Sequence, residues 1–259
     1  KDIEHCAAAL GMTQTEVVLN GVGIIRGMIE KHREDQERRG AGIMRKGSPM
    51  LFNTEMVRAI LDGRKRTTRR TVGFLPGENP NWTGYQKDGL VLYNGRNEPC
   101  SRKPPYQPGD ILYVRETWAF IPCAECAGDG FCGKVPALHG DRGCYLYRAG
   151  FPEYADPGQI TWRPSIHMPK AAARIWLRVT DVGVGHLQAM KLDDFLDEGV
   201  AIRPEAFNDP EDAYMQARGQ FASIWDSTMP KGQQALYGWD ADPWVWAIGF
   251  ERCGRPGKG

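Results

Sequence analysis

No apolar run in this chain approaches the ~20 residues needed to span a bilayer, and no signal-peptide pattern is visible. A membrane partner is therefore not expected. Charge of neither sign dominates: 33 Lys and Arg stand against 32 Asp and Glu, a net charge of +1. Nucleic-acid binding, if there is any, has to come from a local patch and not from the field of the whole molecule. Cysteines are few and odd in number, seven in all, with four of them crowded between residues 123 and 144. That excludes a fully paired disulfide framework and points to metal binding in a reducing cytoplasm. Long helical periodicity is also scarce. Eighteen prolines, 31 glycines and many short apolar runs favour strands and loops. The first residue is Lys1 and not methionine, so the natural start is expected elsewhere, with Met44 and Met50 as internal candidates.

What is present is ordinary for a soluble globular protein: 41% hydrophobic and 25% charged residues over 259, enough for one large or two small domains. Residues 1 to 43 differ in texture from the rest. Ile3, Cys6, Ala7 and Leu10 share one face of a short helix. Thr13 and Glu16 form a capping box, and Val17, Val22, Ile25 and Ile29 lie on the apolar face of a second helix running to about Arg38. A Gly-rich linker follows. These two helices resemble the helical half of ribbon-helix-helix proteins. The DNA-reading strand of that family would precede Lys1, so no DNA-binding residue is carried over, and a helical hairpin that merely docks is the plain alternative.

The stretch Gly63-Arg64-Lys65-Arg66-Thr67-Thr68-Arg69-Arg70 follows a capped helix, Asn53 to Asp62, with Gly63 placed to take the left-handed conformation past its end. Cations and hydroxyls on a tight connection make a cradle for phosphate or carbonyl oxygens; a solvated basic turn is the alternative. Ile111 to Trp118 reads as a strand on which Glu116 shares a face with Leu112 and Val114. A carboxylate there is either paired with a cation or functional. Trp162-Arg163-Pro164-Ser165-Ile166-His167-Met168-Pro169 is a loop stiffened by two prolines. Ala173 to Val182, Tyr145 to Ala149 and Pro243 to Glu251 read as strands, the last of them apolar on both faces. Helices are expected over about Lys191 to Glu198 and from Asp209 onward, where Asp209 is the cap and Pro210 the first helical residue.

The helix, the glycine and Lys65-x-x-Thr68-x-Arg70 together resemble the signature of ASCH domains, small barrels related to the PUA fold. Gly109 to Trp118, Trp162 to Pro169 and Asp242 to Phe250 resemble a phage and prophage branch of that superfamily. The resemblance implies an α+β chain: a PUA-like small β-barrel with flanking helices over residues 44–259, carrying a cysteine-rich insertion at 121–144, behind the short helical hairpin of residues 1–43. It implies first a cleft that binds RNA or a modified nucleoside. The ligand-binding residues would be Arg64, Arg69, Arg70, Arg115, Trp118, Trp162, Arg163, Ser165 and His167. Its second implication is an amidohydrolase acting on an acylated nucleobase. Lys65 and Thr68 match the lysine and threonine of bacterial N4-acetylcytidine amidohydrolases, whose glutamate falls on Arg178 here; Glu116 is then the candidate carboxylate. A third class is a non-enzymatic structural or partner-binding phage protein. A bacterial host cytoplasm is the compartment implied.

Cys123-Ala124-Glu125-Cys126-Ala127-Gly128-Asp129-Gly130 resembles the CxxCxGxG zinc knuckle of DnaJ-type chaperones. It places two thiolates on one turn. Cys132 and Cys144 would complete a structural zinc site, with His139 as a substitute for either. A redox dithiol or four unrelated cysteines are the alternatives.

Overall fold

The computed structural model describes residues 47–74, 78, 80–86, 89–122, 138–140, 143–151, 160–230 and 232–256. The chain divides into two units, Lys1–Arg45 and Lys46–Gly259, and the described residues all belong to the second. The N-terminal helices and linker, together with Cys123, Cys126 and Cys132 and the side chain of His139, lie outside the described residues.

In chain order the elements are β1 (Ser48–Leu51), α1 (Thr54–Leu61), β2 (Thr67–Thr71), β3 (Pro80–Gln86), β4 (Gly89–Asn94), β5 (Ile111–Arg115), β6 (Trp118–Pro122), β7 (Leu138–Gly140) and β8 (Gly143–Tyr147). They continue with β9 (Trp176–His186), α2 (Leu192–Asp197), α3 (Pro210–Thr228), α4 (Gln234–Tyr237) and β10 (Trp244–Cys253). The main sheet has five strands in the order β1-β5-β9-β10-β2. The β1–β5 pair is parallel and the others are antiparallel, so the protein is α+β with a mixed sheet.

Alternation of side chains decides what each face of this sheet meets. Leu112 and Val114 of β5, Leu177 and Val179 of β9, and Trp246, Ile248 and Phe250 of β10 enter one core, which α1 closes with Val57 and Ile60. Tyr113, between Leu112 and Val114, and Trp176, next to Leu177, turn to the opposite side, where they pack with Trp118, Tyr147 and Met168. Val245 also faces away, into a third cluster built from Phe195 of α2, Phe221 and Trp225 of α3, and Trp239. Both sides of β10 are thus covered, as its two apolar faces predict. Helix α1 starts where Asn53 accepts the Met56 N–H at 2.8 Å. It ends at Gly63, whose φ of 76° is the left-handed value expected there.

Several elements differ from their sequence reading. The basic octet is not wholly a turn. Its second half is strand β2, because Thr68 and Arg70 pair opposite Ile248 and Trp246 of β10. The Ile111–Trp118 strand is two strands, interrupted where Thr117 accepts the Arg148 N–H at 3.0 Å and leaves the ladder. Residues 80–94 form a hairpin, with β3 beside the one strand expected there. Helix α3 runs for 19 residues despite the chain's glycine and proline content.

Among the described residues the main sheet is not a ring closed by backbone hydrogen bonds, for β1 and β2 are both edges. A side chain spans the gap: Arg70 Nη2 of β2 donates to the Leu51 carbonyl of β1 at 3.1 Å. The sheet is therefore curled until its two edges lie within one arginine of each other. No described helix is long and apolar enough to cross a membrane.

Candidate functional site

The site begins with the turn after α1. Arg64 and Lys65 both donate their backbone N–H to the Ala59 carbonyl, at 2.9 and 3.0 Å. This tight closure turns Lys65 into the protein, where it is 2% exposed. An ammonium at such depth must be paired. Its Nζ donates to Glu198 Oε2 at 2.5 Å and to the Glu198 carbonyl at 2.9 Å. Glu198 follows the last turn of α2, and its other oxygen accepts Arg69 Nη1 at 3.1 Å. Arg69 Nη2 continues to Asp194 Oδ1 at 2.9 Å. Asp194 and Glu198 are four apart and so share one face of the helix end. The result is a chain of four alternating charges, Lys65–Glu198–Arg69–Asp194, of which only Asp194 reaches solvent, its side chain being 40% exposed. Burial pulls the Lys65 pKa below its ordinary value, Arg70 and Arg69 lower it further, and Glu198 opposes them.

Gly199 lets α2 dock this closely. Its φ is +90°, and a Cβ there would sit 2.8 Å from the Ala59 Cβ and 3.0 Å from the Lys65 Cβ. The Gly199 carbonyl in turn accepts Arg64 Nη1 at 2.8 Å.

Arg70 differs from its neighbours. Nη1 donates to Thr68 Oγ1 and to the Arg69 carbonyl, both at 2.8 Å, and Nη2 donates to the Leu51 carbonyl. Its guanidinium carbon lies 5.5 Å from the centre of the Phe52 ring. All these acceptors are neutral, and none of the described ion pairs involves Arg70. Since Thr68 Oγ1 accepts from Arg70, its own O–H remains to donate.

These groups open onto a cleft of about 570 Å³, within the range of small-molecule sites. Thr68, Arg69, Arg70 and Glu198 supply much of its polar wall, Phe52 and Tyr106 its aromatic one, and Phe221, Ile224 and Trp225 of α3 an apolar one; Thr117, Pro164 and Ser165 are among the other lining residues. Burial raises the Tyr106 pKa, against a smaller lowering by Arg70. Tyr106 therefore remains a phenol able to donate.

Of the residues singled out from sequence, the structure brings Thr68, Arg69, Arg70 and Ser165 to this cleft, with Lys65 behind Glu198. Glu116 does not join them. Arg174 takes both of its oxygens at 2.9 Å, which is the cation-paired alternative for a carboxylate among apolar residues. Burial pushes the Glu116 carboxyl up, against the pull of Arg174. Arg115 donates Nε to the Met168 carbonyl at 2.8 Å. Arg64 is exposed and bonded to Asp62. Trp118 is buried under Arg163, Trp162 lies under Arg148, and His167 is exposed; none of them lines the cleft. Cys144 is buried in β8, opposite Ile121 and His139 in the ladders. No cluster able to hold a metal is found among the described residues, which exclude Cys123, Cys126 and Cys132.

Sequence reasoning missed Glu198, Asp194 and Phe52. The signal for the two acids was an i, i+4 carboxylate pair at the end of an acid-rich helix just before a glycine, Asp194 to Gly199. No family model, no curated protein and no solved structure matches this chain.

Proposed function

We propose that this cleft binds a flat, polar heterocycle, a modified nucleoside alone or within RNA, and that the domain is an ASCH-type, PUA-like module. One observation carries the reading. A guanidinium without a carboxylate partner, Arg70, lies over the Phe52 ring beside the Thr68 hydroxyl, in a cleft whose wall also holds Glu198. A nucleobase needs a donor, an acceptor and a ring to lie against; Arg70 and Thr68 supply donors, Glu198 an acceptor and the half-buried Tyr106 a ring, while Phe52, 3% exposed, backs Arg70. Calorimetric titration with cytidine and N4-acetylcytidine tests it. Arg70→Ala should weaken binding by about 1–3 kcal/mol, the value of a charge-assisted hydrogen bond, and Tyr106→Leu by a similar ~1–3 kcal/mol if the base stacks on that ring. Unchanged affinity in both variants would refute it.

Amide hydrolysis is the second reading, favoured by the lowered Lys65 pKa. Thr68 Oγ would attack the acyl carbonyl while its proton passes to the Lys65–Glu198 pair. The C–N bond would break with a proton returned to the leaving nitrogen, and water would then release the acyl group from Thr68. Glu198, not Glu116, is the carboxylate in place to hold Lys65. In this reading Thr68→Ala ends turnover while ligand still binds; if the protein only binds, the same variant is merely weaker. Independently of either reading, we propose a structural zinc held by Cys123 and Cys126 with two of Cys132, Cys144 and His139, from their resemblance to a CxxCxGxG knuckle, and the cytoplasm of a phage-carrying cell as the compartment, from the resemblance to the phage branch.

A further inference from the structure

The described segments around the cluster of Tyr113, Trp118, Tyr147 and Trp176 are 111–122, 143–151, 160–176 and 253–256. They hold six cations, Arg115, Arg148, Arg163, Lys170, Arg174 and Arg255, against one carboxylate, Glu116. Glu116 is consumed by Arg174. Six minus one leaves five positive charges on these segments, in a chain whose net charge is +1. Five of the six are held against aromatic rings; Arg174, 4.2 Å from the Tyr147 ring, is already taken by Glu116, and the other four are Arg163, Arg148, Lys170 and Arg255. Arg163 lies 5.3 Å from the Trp118 ring, Arg148 5.4 Å from Trp162, and Lys170 and Arg255 lie 5.7 and 5.9 Å from Trp176. Arg163, Lys170 and Arg255 are exposed, and none of the four has a carboxylate partner among the described residues.

A cation resting on a ring loses rotational freedom before any ligand arrives, yet the outer edge of a guanidinium still points its N–H groups at solvent. Such groups are preorganised for oxygen acceptors carrying negative charge. Tyr113 and Trp176 are register partners on β5 and β9, and Trp118 bridges Arg163, so the cations ride on adjacent pieces of one layer. The same loop that carries Arg163 and Lys170 sends Pro164 and Ser165 into the cleft lining. The geometry points to a phosphate track: the backbone of single-stranded nucleic acid runs over Arg163, Lys170 and Arg255 while one nucleoside enters the cleft. This rests on the nucleoside reading of the cleft and extends it, because the ligand is then a nucleotide within a strand.

Anisotropy titration of a labelled 12-nucleotide single-stranded RNA at several salt concentrations tests the track, beside calorimetry of N4-acetylcytidine. The double variant Lys170→Ala/Arg255→Ala should bind the RNA roughly tenfold more weakly, with the slope of log affinity against log salt reduced by about 1 to 1.5. Its binding of the free nucleoside should match the original protein. Arg163→Ala serves as the independent second variant and should act in the same direction. An unchanged RNA affinity and salt slope in both variants would overturn the track, whatever the nucleoside does. A polyglutamate peptide binding as tightly as the RNA, with the same losses, would overturn it in favour of an acidic protein partner. RNA binding that responds to these variants, in a protein blind to the nucleoside, would keep the track and remove the cleft reading instead.

Discussion

Removing the acid from the buried charge chain should cost far more than removing the base. In Glu198→Gln the Lys65 ammonium keeps its depth but retains only neutral acceptors, the Glu198 backbone carbonyl among them. Breaking a buried pair so that one charge is left uncompensated costs about 3–5 kcal/mol. In Lys65→Met, by contrast, Glu198 keeps Arg69 at 3.1 Å. No charge is orphaned, and the loss is closer to that of one or two hydrogen bonds, about 1–3 kcal/mol. The double variant removes both partners and leaves Arg69 with Asp194. It should therefore be more stable than the sum of the single losses, with a coupling of roughly 1–3 kcal/mol. The pH dependence has a definite sign. Glu198 is the group that raises the Lys65 pKa, so without it the folded-state value falls further below 10.5. The unfolded chain then binds the proton more tightly than the folded one, and stability rises with pH between the folded and unfolded values. Guanidinium melts of the three variants at pH 6 and pH 9 measure this. Glu198→Gln should recover stability at the higher pH, and Lys65→Met should not. Equal, additive and pH-independent losses would refute the argument.

Three other outcomes are expected, two from the geometry and one from the proposed thiolate site. Arg174→Met strands the Glu116 carboxylate at 1% exposure and should cost about 3–5 kcal/mol at neutral pH. Without Arg174 the folded Glu116 pKa rises further above its unfolded value, so the loss should shrink as pH falls through that raised pKa, as urea melts at pH 7 and pH 4.5 would show. Gly63→Ala meets open space and should cost about 1 kcal/mol for its left-handed backbone, whereas Gly199→Ala also collides with Ala59 and Lys65, adding about 1–3 kcal/mol of overpacking in chemical denaturation. Elemental analysis of reduced, chelator-free protein should find one zinc per chain, and less than about half an equivalent would reject the thiolate site.

Local chemistry was legible without the fold. The cap at Asn53, the left-handed Gly63, the Asp209-Pro210 helix start and the two-sided burial of β10 rest on residues within a few positions of each other, and backbone geometry acts at that range. Sequence likewise showed that Glu116, on an apolar strand face, needs a partner, and that Lys65, Thr68 and Arg70 form a dense cationic stretch. It could not say which charges meet. Glu198 lies 133 positions from Lys65, and Arg174 lies 58 from Glu116. Nothing local tells either acid which cation it will meet. Those pairings appear only once β2 zips onto β10 and α2 docks against α1 through Gly199. The curl that brings the edges of the sheet together is a tertiary outcome as well, since Arg70 reaches Leu51 only because four strand pairings accumulate between them. Composition and short-range pattern thus set which groups need partners. The long-range strand order chose the partners, because desolvation makes an unpaired charge intolerable but does not say where its counterion comes from.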